Sequence, residues 1–244
     1  MTAPGRLVAS IVPPGAIGAA DRAAMWALFG AAYDDVHEAR FFADLDGKQH
    51  VIVLRDGPAL KGFCTLRADA VVVDGKPRIC VFTGDTLVDP VYWGQQALHR
   101  AFFRYLMMVK LKNWRHETWW FLISKGYRTY LLLTRYIPEH YPRFDQPTPA
   151  PRQRILDAFS VARFGADYDA TTGIVRFSEP AGKVKAGLVP VERRDPEVGF
   201  FLDHNPGHAD GDELCCIGLV DWRVPAQMAW KVVQRPLRRL GVAR

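Results

Sequence analysis

The residues best placed to do chemistry lie in "TGDTLVDPVYWGQQALHRAFFRYL", residues 83–106. A strand pattern ending at Val88 passes through Pro90, Tyr92, Trp93 and Gly94, and a helix pattern begins near Gln95, Gln96 and Ala97. The first amides of such a helix lack intrahelical acceptors and carry partial positive charge, so the turn is a ready anion site, above all for phosphate. A second concentration is "FFLDHNPGHADGDELCC", which holds His204, His208, Asp210, Asp212, Glu213, Cys215 and Cys216. Histidines four apart suit a metal on a regular helix, but Pro206 and Gly207 break one here, so a hydrogen-bonded turn without metal is expected. The sequence has no G-x-S-x-G, and neither Cys64 nor Cys80 opens a helix where its thiol would be activated. A covalent nucleophile is not indicated.

The elements that must position the turn follow from periodicity. Met25, Leu28, Phe29 and Ala32 predict a helix over residues 21–36. "HVIVLRD", "LKGFCTLRADAVVV" and "RICVFTGDTLV" read as strands joined by the turns "DGP" and "DGKP", an antiparallel meander. Leu98, Ala101, Phe102, Tyr105 and Val109 form the apolar stripe of the next helix; "TWWFLIS" is a strand, and "YRTYLLLTRYI" a helix stopped by Pro138. Strand, helix, strand in that order favours one parallel pair inside an otherwise antiparallel sheet. Beyond residue 150 come a helix at "PRQRILDAFSVARF" and short strands at "GIVRF", "VGFFL" and "LCCIGLV", the last two able to complete the sheet. The C-terminal end reads as a basic amphipathic helix interrupted by Pro236. The chain thus divides into a loose leader (1–20), a core (21–150) and an extension (151–244) of the same domain.

At 244 residues, 49% hydrophobic and 24% charged, the chain can bury a substantial core and is neither disordered nor repetitive. No apolar run approaches the roughly 18 residues that span a bilayer, and the N-terminus lacks the blocks of a signal peptide. The four cysteines fit neither a zinc knuckle nor a disulfide framework, so a reduced, cytoplasmic protein is expected. A formal charge of +6 suits phosphate-bearing small molecules, an acidic carrier protein, nucleic acid or anionic lipid. No nucleic-acid recognition motif accompanies it, and stable membrane insertion is not expected.

Val88, Pro90, Tyr92 and Gly94, set in this order of elements, resemble the coenzyme A loop V-x-P-x-Y-R-G-x-G-x-G/A of the GCN5-related N-acyltransferase (GNAT) superfamily. Trp93 stands where arginine or glutamine is usual, and Gln96 and Leu98 replace later glycines. The resemblance, over residues 20–140, implies an α+β fold with a mixed, mostly antiparallel sheet flanked by helices. It implies transfer of an acyl group from a pantetheine thioester, on coenzyme A or acyl carrier protein, directly to an amine. Donor contacts then fall on Leu87, Val88, Tyr92, Trp93, Gly94, Gln95, Gln96 and Ala97, with Ser124 and Lys125 opposite. Asp85 is the candidate base, and Tyr136 or Tyr141 the candidate acid, with Tyr130 in the same region. Arg100, Arg104, Lys110 and Lys112 either meet an acidic carrier or face solvent. Asp85 equally suits a turn acceptor, and any one of the tyrosines suits the core better than the cleft. The loop's departures leave open a non-catalytic binding module that has lost its donor.

Overall fold

The computed structural model describes residues 4–178, 182–184 and 195–226. Its elements are β1 (Val8–Val12), α1 (Ala19–Ala32), β2 (Tyr33–Asp34), α2 (Glu38–Asp46), β3 (His50–Asp56), β4 (Ala59–Val73) and β5 (Lys76–Val88). Then follow α3 (Ala97–Lys112), β6 (Thr118–Ser124), α4 (Tyr127–Tyr136), β7 (His140–Tyr141) and α5 (Ala150–Phe164). The last are β8 (Tyr168–Asp169), β9 (Ile174–Val175), β10 (Lys183–Val184), α6 (Pro196–His204) and β11 (Glu213–Leu219). A nine-stranded sheet runs β1-β3-β4-β5-β6-β11-β9-β8, with β7 also on β11. Among the described residues only β5 and β6 pair in parallel, joined through α3. This is the mixed, mostly antiparallel α+β sheet that the GNAT resemblance implies.

Strand alternation divides the core between the two faces of the sheet. In β6, Trp120 and Leu122 pack with α3 and α4, while Trp119 and Phe121 pack with Ile155, Leu156 and Phe159 of α5. In β3, Ile52 and Leu54 join the α3 side, and Val51 and Val53 meet Met25, Phe29 and Phe41 of α1 and α2. Such strands are buried on both faces, which explains why their sequences are continuously apolar rather than alternating.

Several expectations are corrected. The leader is not loose throughout, because Val8–Val12 pairs along β3 and the Leu7 amide donates to Gln95 Oε1 at 2.9 Å. "VGFFL" is helical, not a strand: Pro196 sits at the helix start, the Asp195 side chain caps the Glu197 amide, and Val198, Phe201 and Leu202 share one buried face. Of the two segments expected to complete the sheet, only β11 does so, along β6. The first helix ends at Ala32, short of Val36, where Tyr33 and Asp34 pair with β10. The expected C-terminal helix lies almost wholly outside the described residues.

The pairing of β4 with β5 slips near the middle of both strands. Leu66 faces Thr83 and Cys64 faces Thr86, so Gly84 and Asp85 together oppose Thr65. The parallel ladder to β6 ends at the same level, with Thr83 opposite Leu122. Beyond it β5 is held by β4 alone, through a close approach at Gly62. A Cβ there would sit 2.7 Å from the Leu87 carbonyl oxygen and 3.1 Å from Val88 Cα. Gly62→Ala is expected to cost about 1–3 kcal/mol in urea unfolding by forcing the strands apart, whereas Gly15→Ala, which meets open space, should fall within about 0.5 kcal/mol of the parent.

Candidate active site

An extra residue in one strand bends it and raises its twist, and here the bulge at Gly84 and Asp85 turns the end of β5 away from β6. The Asp89 amide donates to the Lys61 carbonyl at 2.9 Å. Antiparallel alternation from that bond turns the amides of Val88 and Thr86 away from β4, into the gap that β6 has left. The Val88 carbonyl on that side accepts from Trp93 Nε1 at 2.9 Å. Into the gap opens a cavity of about 770 Å³, bounded by residues 84–88 of β5, the start of α4, and faces of α1, α2 and the end of α5.

Charged side chains line this cavity beside aromatic walls. Lys48, almost fully buried, pairs with Asp44 at 2.5 Å, and Lys125 pairs with Glu213 at 3.2 Å. Burial lowers the Lys48 ammonium while Asp44 opposes the shift, and burial raises Glu213 while Lys125 opposes it. Asp85 is pushed up to about 6, first by burial and then by Asp44, with Lys48 and Lys125 working against them. Burial, reinforced by Asp85 and Glu213, also keeps the Tyr33 hydroxyl protonated. Only glycine fits at position 84: a Cβ there would lie 2.6 Å from Thr65 Oγ1 and 3.3 Å from Lys48 Nζ.

The structure brings Asp85, Leu87, Val88, Trp93 and Lys125 to this cavity together. The other expected residues stand elsewhere. Tyr92 is buried in the core and its hydroxyl donates to Asp56 Oδ2 at 2.8 Å. Gln95 ties down the N-terminal segment, its Nε2 donating to the Gly5 carbonyl at 2.9 Å. Gly94 adopts φ +91°, which favours glycine, and Gln96 donates to its carbonyl at 3.2 Å. Gln96 is also the N-cap residue of α3, with Ala97 next, and that helix start has neither a side-chain cap nor an acidic residue in its first turn. Its orphan amides therefore retain the anion-binding character expected of them. The Ser124 hydroxyl donates to the Gly126 carbonyl at 2.7 Å and does not line the cavity.

None of the tyrosines expected to supply a proton lines it either. Tyr136 packs on Phe103 at 5.2 Å between ring centroids, Tyr141 joins the core beside α5, and the Tyr130 hydroxyl donates to Glu197 at 2.9 Å. The cavity reaches Tyr33 and Tyr127 instead. Asp44 and Lys48 carry no mark in the sequence because the short α2 that places them is not evident there, and Arg163 because α5 is remote in sequence; Glu213, singled out with His204 and His208, lines this cavity instead. Had "EARFFADLD" been tested for helical period, Phe41 and Leu45, buried four residues apart, would have been the signal.

In the second polar concentration, His204 Nδ1 lies 3.0 Å from the Phe200 carbonyl and His208 Nδ1 lies 2.9 Å from that of Asn205. Cys215 and Cys216 are buried within β11. Among the described residues no three His, Cys, Asp or Glu side chains converge as metal ligands, and no helix is long and apolar enough to cross a membrane.

The sheet thus has one parallel pair splayed beside a helix start, and solved structures are similar to parts of it. Rv2747 from Mycobacterium tuberculosis, solved with CoA and NLQ, is 12% identical over 87% of this chain and 99% of its own, with a TM-score of 0.42. The Escherichia coli GNAT family N-acetyltransferase YhbS, solved with CoA, is 18% identical over 49% of this chain, with a TM-score of 0.36. A conserved protein of unknown function from Enterococcus faecalis V583 is 14% identical over 53% of this chain, with a TM-score of 0.40. The matched region spans 63% of YhbS and 32% of the Enterococcus protein. No family model and no curated protein matches the chain.

The raised Asp85 carboxyl has a consequence for stability. Between its ordinary value of 3.8 and about 6, the unfolded chain is ionised at this position while the folded one holds a proton. Ionising it at neutral pH therefore costs the folded state up to about 3 kcal/mol. Asp85→Asn is expected to raise urea stability at pH 7.5 by about 1–3 kcal/mol, a gain that shrinks to nothing below pH 4. Parallel measurements at both pH values check the sign.

Proposed function

We propose that this chain transfers an acyl group from a pantetheine thioester to an amine by direct attack. The observation that carries the reading is the splay of β5 from β6, which turns the Thr86 and Val88 amides into the same cavity wall that holds Asp85. In this reading the thioester lies in the gap, with its carbonyl oxygen received by one of those amides. The donor's phosphate faces the uncapped start of α3 and Arg128, whose guanidinium stacks on Trp93 at 4.7 Å. The amine attacks the carbonyl carbon and gives its proton to the Asp85 carboxylate. The C–N bond forms, the C–S bond breaks, and the departing thiolate takes a proton from Tyr127 at the start of α4. Preorganised amides stabilise the developing oxyanion without reorganising at the moment of reaction.

Coenzyme A and acyl carrier protein both present a phosphopantetheine thioester, and exposed Arg100, Arg104 and Lys112 on α3 offer an acidic carrier a basic surface. The expected result is release of free thiol from one of these donors only when an amine is present. Because Asp85 must be ionised to accept the proton, kcat/KM should show a limb rising with pH through about 6, separate from the higher limb set by the amine's own loss of its ammonium proton. Asp85→Asn should lower kcat by about 10²- to 10⁴-fold and remove that limb. An unchanged profile in the variant rejects Asp85 as the base. Absence of turnover with every donor would instead favour a binding module.

A further inference from the structure

The ionic groups around the cavity do not all cancel. Asp44 is matched by Lys48 and Glu213 by Lys125. Asp85 is assigned to the amine, and three lining cations remain: Arg40, which stacks on Phe177, exposed Arg128, which stacks on Trp93, and Arg163. Among the described residues Arg163 has no carboxylate within ion-pair distance, and its Nε is buried without a hydrogen-bond partner. Its guanidinium lies 3.9 Å from the centroid of the Phe82 ring and borders the cavity. A buried donor without a partner is destabilising, and a planar anion meeting the guanidinium edge would relieve that. Phe82 also carries Lys48 Nζ at 5.5 Å, so two cations share one ring, and Asp44 is ion-paired with Lys48. Among the described residues Arg163 is left without such a partner.

We infer that Arg163 receives a carboxylate borne by the amine acceptor, so that the acceptor is an amino acid with an apolar side chain. The inference rests on the acyl-transfer reading and names its substrate class. Phe82 and Asp85 are three positions apart on β5, about 10 Å of extended strand, and the side chains of Arg163 and Asp85 both reach into the space between. A short molecule with an amino group at one end, reacting as the neutral amine, and a carboxylate at the other meets Asp85 with the first and Arg163 with the second. A carboxylate suits the guanidinium because its two oxygens match two parallel N–H groups. Phe41 and Phe164 supply apolar wall for the side chain. The sequence conceals this arrangement, since Arg163 comes from the end of α5, 78 residues after Asp85.

Two measurements on the full chain test the inference. The first compares kcat/KM for L-phenylalanine, L-phenylalaninamide and O-phosphoethanolamine with a fixed acyl-CoA, in the parent, Arg163→Gln and Arg163→Lys. Phenylalanine should exceed the amide by at least tenfold in the parent. That ratio should collapse toward one in Arg163→Gln and be partly restored in Arg163→Lys, with thermal melting confirming that each variant is folded. Equal use of acid and amide by the parent, or an unchanged ratio in Arg163→Gln, would overturn the inference while leaving acyl transfer intact. Preference for O-phosphoethanolamine would overturn the carboxylate assignment. The second measures calorimetric binding of N-decanoyl-phenylalanine and its amide, which needs no turnover. Tighter binding of the acid, lost in Arg163→Gln, supports the anion subsite even if no thioester is consumed; equal binding of both contradicts it.

Discussion

The account depends on where the backbone hydrogen bonds between β5 and β6 stop. A parallel pair shares its amides evenly along the ladder, so a binding gap requires that pairing be terminated without losing the strand. The bulge at Gly84 and Asp85 does this, because β4 still holds β5 to Val88 while β6 turns aside into β11. One geometric event both frees Thr86 and Val88 and sets Asp85 into the same wall. Gly62 and Gly84 permit it, the first through close approach to the β5 backbone and the second by making room for Thr65 and Lys48.

The electrostatics follow from that geometry. Opening the sheet exposes polar backbone inside the protein, and the surrounding helices bring charges that are paired within the walls. Asp44 pairs with Lys48 and Glu213 with Lys125; of these four, the two lysines oppose the burial that raises Asp85 while the two carboxylates add to it. A carboxyl poised at about 6 is ionised at neutral pH yet binds a proton more readily than an exposed one. That is the balance a base requires when the proton comes from an amine.

How much of this was legible in the sequence divides along physical lines. The meander, α3, β6 and α4 carry strong periodicity or unbroken apolar runs bounded by turns, and β6 coincides with "TWWFLIS". The anion turn and Asp85 could be located because both depend on local order. The short α6 misled because "VGFFL" has too few polar residues to separate period two from period 3.6; its proline and aspartate cap were the better signal. β1 is hidden because its pairing partner β3 and Gln95, which holds the residues just before it, lie far along the chain. The donor loop was expected to use Tyr92 and Gln95, yet Tyr92 is spent on Asp56 of β3 and Gln95 on the N-terminal segment, interactions no local motif encodes.

Amide hydrogen exchange with and without acyl-CoA tests the central claim most directly, because it reads the backbone groups on which the claim rests. With a bound thioester, exchange should slow at Thr86 and Val88 and at the start of α3, while β1 and β9, remote from the gap, exchange as before. Protection confined to other parts of the chain, or none at donor concentrations that support turnover, would contradict the assignment of the β5–β6 gap as the donor site.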